Sequence, residues 1–201
     1  MVKASATDTR RLLLEAAAEE IRLKGFQAAS LNEILQRTQV TKGALYHHFA
    51  NKHALGHAVV KEIFSEELRE MWTTPMEKEG VNPIDYLIGL LQMTADQMTL
   101  EELALGCPIN NLSQEMSPVD DEFRQILCDL YAEWRESLAK AFSRGQEQGY
   151  VSLDLDVDSA AAFIVASLEG CLGLAKNAQS KDLLMLCGGG LIGYLNSIRS
   201  K

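Results

Sequence analysis

Leu13, Ala16, Ala17 and Ile21 recur at the spacing that lines one face of a helix, and Gly25 comes after them as a natural stop. This first predicted helix opens in TDTRRL, where a threonine is the cap candidate. Ser30-Leu31-Asn32-Glu33 has the form of a capping box, with Ser30 accepting from a first-turn amide and Glu33 reaching back. It opens a short helix that turns Leu31, Ile34 and Leu35 inward. After a break at Thr38-Gln39-Val40, Thr41 can cap a third short helix with Leu45 and Phe49 inward, His48 beside them and His47 outward. Three helices, the last two short and joined by a tight turn, make a helix-turn-helix arrangement. Such a unit is too small to bury much of its own surface and must lean on the rest of the chain.

The rest of the chain is helical as well. Leu55, Val59, Ile63, Phe64, Leu68 and Met71 mark a long amphipathic stretch over 52–72, and Pro75 with the EKEGVNP run breaks it. Pro83 suits the first turn of a helix over 84–99. A short segment over 106–116 comes next, then a long helix from Pro118-Val119 to about Gln148. Gly149-Tyr150-Val151 and SLDLDVD read as a loop whose Asp158 caps the next helix. Two last helices cover roughly 159–177 and 182–198. No period-2 strand or internal repeat stands out, and only 4 prolines occur in 201 residues. The predicted fold is all-α, divided into residues 1–52 and a larger body over 53–201.

Charge changes the picture. The chain carries −9 overall, which on its face argues against nucleic acid. Residues 1–52 nevertheless hold eight basic residues (Lys3, Arg10, Arg11, Arg22, Lys24, Arg37, Lys42, Lys52) against five acidic ones, a net of +3. The remaining 11 basic and 23 acidic residues give the rest of the chain −12. A basic cap on an acidic body attracts a polyanion to one end and repels it from the other.

The stretch LNEILQRTQVTKGALYHHFANKHAL resembles the N-terminal DNA-binding domain of the TetR family of bacterial transcriptional regulators. Phe26 after a glycine, Ile34, Val40, the run Gly43-x-Leu45-Tyr46-x-His48-Phe49, and Lys52 followed by Leu55 carry the resemblance. The length and the helical body extend it over the whole chain. It implies a recognition helix whose N-terminal residues face base edges in the major groove. Thr41 and Lys42 sit at that N-terminus, where free amides also favour phosphate. Gly43 permits close backbone approach, Tyr46 and His47 lie one turn on, and Ser30 and Lys52 are expected to hold phosphates. Thr38 and Gln39 depart from the family's usual Ala and Gly, and Gln39 would sit strained where the turn needs positive φ.

The resemblance further implies a cytoplasmic homodimer that binds a palindromic operator in double-stranded DNA and is released by a small-molecule effector held in the body. Phe64, Trp72, Tyr86, Met93, Tyr131 and Trp134 are the apolar candidates for the effector pocket; Asn110, Asn111 and Gln114 are the polar ones. Cys107, near a helix start, could be a lowered-pKa thiol, which would make a redox- or electrophile-sensing repressor; a buried inert cysteine is the plainer reading.

Gly188-Gly189-Gly190 inside a helix costs about 1 kcal/mol per glycine relative to alanine, so close helix-helix approach should compensate. A dimer interface over about 159–198 would supply it. No Lys-Ser/Thr comes after the glycines, which excludes a phosphate loop. Four scattered cysteines without CxxC spacing speak against a zinc cluster, and the absence of a charged, hydrophobic leader points to a cytosolic chain with reduced thiols. The uncharged run between Asp182 and Arg199 is too short and glycine-rich for a membrane span. His53 and His57 are four apart like a metal pair, but HALGH lacks the glutamate of a zinc hydrolase. Asp154-Asp156-Asp158 lacks the rest of a calcium loop. No cofactor and no catalytic set emerge. A helical enzyme would need a convergent acid-base pair or nucleophile, and a ligand-binding module without DNA binding would have no use for Lys42, Gly43, Tyr46 and Lys52.

Overall fold

A computed structural model describes residues 6–201, so Lys3 of the basic cap lies outside the described residues. Eleven α-helices succeed one another among them: α1 Ala6–Lys24, α2 Leu31–Thr38, α3 Lys42–His48, α4 Lys52–Val59, α5 Ser65–Leu68, α6 Pro83–Gln97, α7 Leu100–Leu105, α8 Pro108–Met116, α9 Asp121–Glu147, α10 Val157–Ala178 and α11 Lys181–Ser197. No strand forms among the described residues; a single antiparallel bridge joins Val151 to Arg199. The fold is all-α, as the periodicity requires.

The amphipathic stretch over 52–72 is not one regular helix. π-helical turns at Val60–Phe64 and Arg69–Thr73 flank α5, and a 3₁₀ turn at Thr74–Glu77 closes the run. The segment expected over 106–116 forms α8, and a further short helix, α7, occupies the stretch before it that the apolar pattern leaves unassigned. Thr99 caps α7 with a full capping box to Glu102, and Gly106 at φ 69° ends it before Pro108 starts α8. α9 begins at Asp121 rather than at Val119, because Asp120 accepts from the Phe123 amide at 2.8 Å. α10 is capped by Asp156, which accepts from the Asp158 and Ser159 amides, so Asp158 is a first-turn residue and not the cap. α1 starts at Ala6, ahead of Thr7 and Thr9, which therefore lie inside the helix.

The chain forms two compact units. The first runs up to Glu67 and takes in Pro108–Asp129; the second holds Leu68–Cys107 and Leu130–Lys201. The first unit thus contains residues 1–52, which the motif marks out, together with α4, α8 and the opening turns of α9. Leu13, Leu14 and Ala17 of α1 bury completely or nearly so beside Ile34, Leu45, Leu55, Val59 and Phe123. Gly56 is fixed by this packing. A Cβ there would lie 2.4 Å from the Phe26 ring and 2.8 Å from Phe123, whose rings meet at 4.6 Å.

The second unit has its own core, including Ile84, Leu87, Leu103, Leu138, Phe142 and Leu195. By length and composition α10 alone among the described helices could cross a membrane, yet it buries Ala160, Ala161, Ile164, Val165, Leu168 and Ala175 within the fold.

A candidate nucleic-acid interface and a separate apolar cavity

α3 is held from behind and open in front. Leu45 is completely buried and Phe49 nearly so. Thr41 caps the helix by accepting from the Ala44 amide at 3.2 Å. Thr41, Lys42, Gly43, Tyr46 and His47 vary only in degree of exposure, with Tyr46 44% exposed, and nothing lies within 4 Å of a Cβ built on Gly43. The Lys42 ammonium stands 5.9 Å above the Tyr46 ring, a loose cation–π arrangement on the same helix. The turn before it is a left-handed one. Gln39 takes φ 55°, ψ 22° and stabilises itself by donating from Nε2 to the Gln36 carbonyl, while the Thr38 hydroxyl bonds the Ile34 carbonyl at 2.8 Å. The expected strain at Gln39 is thus present and is offset by local hydrogen bonds.

Ser30 accepts from the Glu33 amide at 3.4 Å, but the return half of the box differs from expectation. The Ser30 amide donates to Glu20 Oε1 at 3.2 Å, so a carboxylate from α1 takes the part foreseen for Glu33. Glu20 is buried and also meets Lys24 at 2.8 Å and Arg37 at 3.7 Å. Burial works to raise its pKa, but the bonds from Lys24 and the Ser30 amide outweigh it and hold the carboxyl below its ordinary value.

A second carboxylate clamps the α1–α2 turn. Glu115 of α8 accepts from the Phe26 amide at 2.9 Å and the Gln27 amide at 2.7 Å. Gly25, at φ 76°, has no room for a side chain, since a Cβ would lie 2.8 Å from Glu115 Oε2. On the other side of this turn Lys52 donates to the Gln27 carbonyl at 2.9 Å and covers the Phe26 ring. Burial lowers the Lys52 pKa, opposed by the fields of Glu115 and Glu20. The spacing of Glu20 and Lys24 suits a local helical pair, but nothing in the sequence links Glu20 to the Ser30 amide or Glu115 to amides almost ninety residues before it.

The basic cap is largely neutralised in place. Arg10 pairs with Glu62, Arg11 with Glu15 and Glu66, and Arg22 with Glu67. Lys24 and Arg37 turn to Glu20, whereas Lys42 joins none of these pairs.

His53 and His57 face acidic side chains. His57 Nδ1 lies 3.3 Å from Glu122, and both rings approach Asp120 at 3.5–3.7 Å. No group of three ligating side chains able to hold a metal ion occurs among the described residues.

The effector candidates divide between the units. Phe64 is buried in the first unit beneath the Arg22 guanidinium, 4.9 Å from its ring. Asn110, Asn111 and Gln114 also belong to that unit, on α8. Trp72, Tyr86, Met93, Cys107, Tyr131 and Trp134 belong to the second. There Trp134 is buried, with Trp72 at 5.2 Å and Tyr131 stacked at 6.4 Å. The Tyr86 hydroxyl donates to the Met71 carbonyl at 2.6 Å, and Met93 is exposed. Cys107 donates to Glu169 Oε1 at 3.3 Å. Burial pushes the Glu169 carboxyl up, against the bonds from Cys107 and Tyr131.

A cavity of about 190 Å³ lies in the second unit between α6, α10 and α11, with Trp72 at its edge. Leu91, Ala95, Leu168, Leu172, Leu184 and Ile192 supply most of its wall. Of the effector candidates only Trp72 lines it. The pocket arises from three helices distant in sequence, so no local pattern announces it.

Two short helices joined by a tight turn, the second with its N-terminal face exposed, form a helix-turn-helix unit. The chain belongs to the TetR family. The family described as "Bacterial regulatory proteins, tetR family" matches residues 13–59, and "Tetracyclin repressor-like, C-terminal domain" matches 83–185. The A-factor receptor protein of Streptomyces griseus is 30% identical, over 89% of this chain and 58% of that protein. The HTH-type transcriptional repressor DhaR of Mycobacterium sp. (strain GP1) is 29% identical, over 89% of this chain and 87% of that protein. The crystal structure of regulatory protein TetR from Rhodobacter sphaeroides superposes with a TM-score of 0.78 at 27% identity, covering 90% of this chain and 96% of that one. A TetR regulator from Chloroflexus aurantiacus shares the fold at TM-score 0.83, covering 98% of both chains at 24% identity. The protein is a DNA-binding transcriptional regulator of a family that is in general non-enzymatic and dimeric.

Proposed function

We propose that this protein is a cytoplasmic, homodimeric repressor that binds a palindromic operator and leaves it when a small molecule enters the body. The observation that carries this reading is the front of α3, where Thr41, Lys42, Gly43, Tyr46 and His47 are exposed together while Leu45 and Phe49 anchor the helix from behind. Thr41 and Lys42 contact phosphate and the first bases, Gly43 lets the backbone approach, and Tyr46 and His47 reach one turn further into the groove. Ser30 supplies a phosphate contact at the start of α2. Lys52 has donors beyond the one given to Gln27 and serves both the turn and a phosphate.

Dimerisation runs through α10 and α11, where Phe163, Leu174, Met185 and Leu186 are at least half exposed. Apolar side chains in that number on two adjacent helices are a liability in a monomer and an asset in an interface. Two copies then present two α3 helices to successive major grooves, which makes the operator a palindrome.

Selection from a random duplex DNA pool, with wild type beside Tyr46→Ala, tests the reading. Enrichment of a palindrome by the wild type and not by the variant is the expected result. Equal enrichment by both would remove α3 as the reading helix, and enrichment of a single half-site would remove the dimer.

A further inference from the structure

We infer that the cavity between α6, α10 and α11 is a binding site for an uncharged, single-ring or similarly sized apolar molecule, and that Gly188 and Gly189 set its size limit. This rests on the effector-responsive reading above only for what the bound molecule does to DNA binding; the site itself is read from the cavity.

Volume comes first. A cavity of about 150 Å³ lined by aliphatic and aromatic side chains stays dry and takes up benzene. The present cavity, about 190 Å³, has room for one ring with a small substituent. Chemistry comes next. The wall is made of Leu, Ile and Ala side chains, the Trp72 ring and Met185, whose outer half belongs to the exposed apolar face of α11, and its polar side chains are Gln92, Thr94 and Cys171. None of these carries a charge at neutral pH: burial, reinforced by the neighbouring Cys187 thiol, pushes the Cys171 thiol up to about 11. A charged ligand would lose its hydration here without gaining a counter-ion, whereas an uncharged ring loses little and gains contact with the wall. Gln92 and Thr94 can satisfy at most a small hydroxyl or carbonyl group.

The glycines supply a third, independent observation. α11 carries Gly188-Gly189-Gly190 at about 1 kcal/mol each relative to alanine. Close packing inside the chain does not return that cost, because nothing lies within 4 Å of a Cβ built on any of the three. Two of them, Gly188 and Gly189, are instead wall residues of the cavity. A Cβ at either position would meet no atom of the chain within 4 Å and would take space from the cavity. Helix stability has been exchanged for volume.

Titration of the full-length protein with toluene, benzylamine and benzoate, followed by tryptophan fluorescence and by thermal shift, tests the site. Toluene should bind saturably and raise Tm, with benzylamine and benzoate at least about tenfold weaker. Gly188→Leu should abolish the toluene response while its own unliganded Tm equals or exceeds that of wild type. Absence of toluene binding, or tighter binding of either charged analogue, overturns the proposed ligand class. Unchanged toluene binding by Gly188→Leu places the molecule elsewhere and overturns the site. Light scattering on Gly188→Ala separates the rival role of the glycines: loss of dimer with toluene affinity intact assigns them to a partner helix. Operator binding measured on the same samples keeps failure of the regulator reading distinct, since toluene binding does not require DNA.

Discussion

Gly56 and Gly89 face opposite conditions in the two units. At Gly56 of α4 two aromatic rings occupy the place of a side chain, with contact distances of 2.4 and 2.8 Å to an added Cβ. At Gly89 of α6 nothing lies within 4 Å. The first unit is packed around a fixed geometry, and its turn is clamped by Glu115 and Lys52 on either side. The second leaves room at Gly188, Gly189 and the cavity beside them. On the proposed function, a unit that presents α3 to DNA in one orientation would gain from rigidity, whereas a unit that admits a ligand would need empty volume.

Gly56→Ala should break the first half of this comparison with the largest effect. Overpacking between Phe26 and Phe123 is expected to cost about 1–3 kcal/mol, read as a lower denaturant midpoint with unchanged slope. An unaltered midpoint would mean that the rings move aside freely and the first unit is not tightly packed.

Glu20→Gln comes next. It removes the charge that Lys24 and Arg37 share and weakens the bond to the Ser30 amide, a loss of about 1–2 kcal/mol at neutral pH. The folded-state pKa of Glu20 lies below its unfolded value, so its contribution is present above the unfolded pKa and disappears as pH falls through the folded one. The gap in Tm between wild type and Glu20→Gln should therefore close as the solution is acidified below about pH 4.3. In the second unit Glu169 has the opposite sign. Its raised pKa means that stability declines as pH rises from the unfolded value of about 4.3 toward the folded one, and Glu169→Gln should show the reverse trend in the same titration. Parallel trends in the two variants would erase the contrast.

Lys42→Ala should weaken operator binding about tenfold at moderate salt and reduce the salt slope by about one. Fluorescence anisotropy at several salt concentrations reads both. Because Lys42 stands outside the ion pairs of the basic cap, an equal loss from Arg11→Ala would show that paired residues contribute as much to the field.

Gly89→Ala sharpens the comparison with the smallest effect. Open space around an exposed, mid-helix glycine predicts a gain of about 0.5–1 kcal/mol, seen as a rise in Tm. A drop would show that α6 is as closely packed there as α4 is at Gly56.

Much of the first unit was legible because its signals are local. Ser30 and Thr41 stand at helix starts, Leu45 and Phe49 recur at helical spacing, and the exposed set at Thr41, Lys42, Gly43, Tyr46 and His47 is dictated by which face those two bury. The positive φ at Gln39 was legible for the same reason. The second unit was legible only as a count of helices with approximate ends. α7, missing from that count, turns on the capping box at Thr99 and the positive φ of Gly106, local features that the wider apolar pattern masks. Which candidate side chains border one cavity is set by the packing of distant helices, and of those named Trp72 alone borders the cavity between α6, α10 and α11.

The sequence by itself determined the all-α fold, the helix-turn-helix and the family, because helical periodicity, caps and a motif of some thirty residues are properties of neighbours along the chain. Tertiary structure alone decided that Glu20 and Glu115 hold the turn that positions α2, that most of the basic cap is paired, that Gly56 admits no side chain, and that Gly188 and Gly189 border an apolar cavity. Apart from the i,i+4 pairs Arg11–Glu15 and Glu20–Lys24, these depend on distances between residues ten or more positions apart, which packing sets and no local pattern encodes.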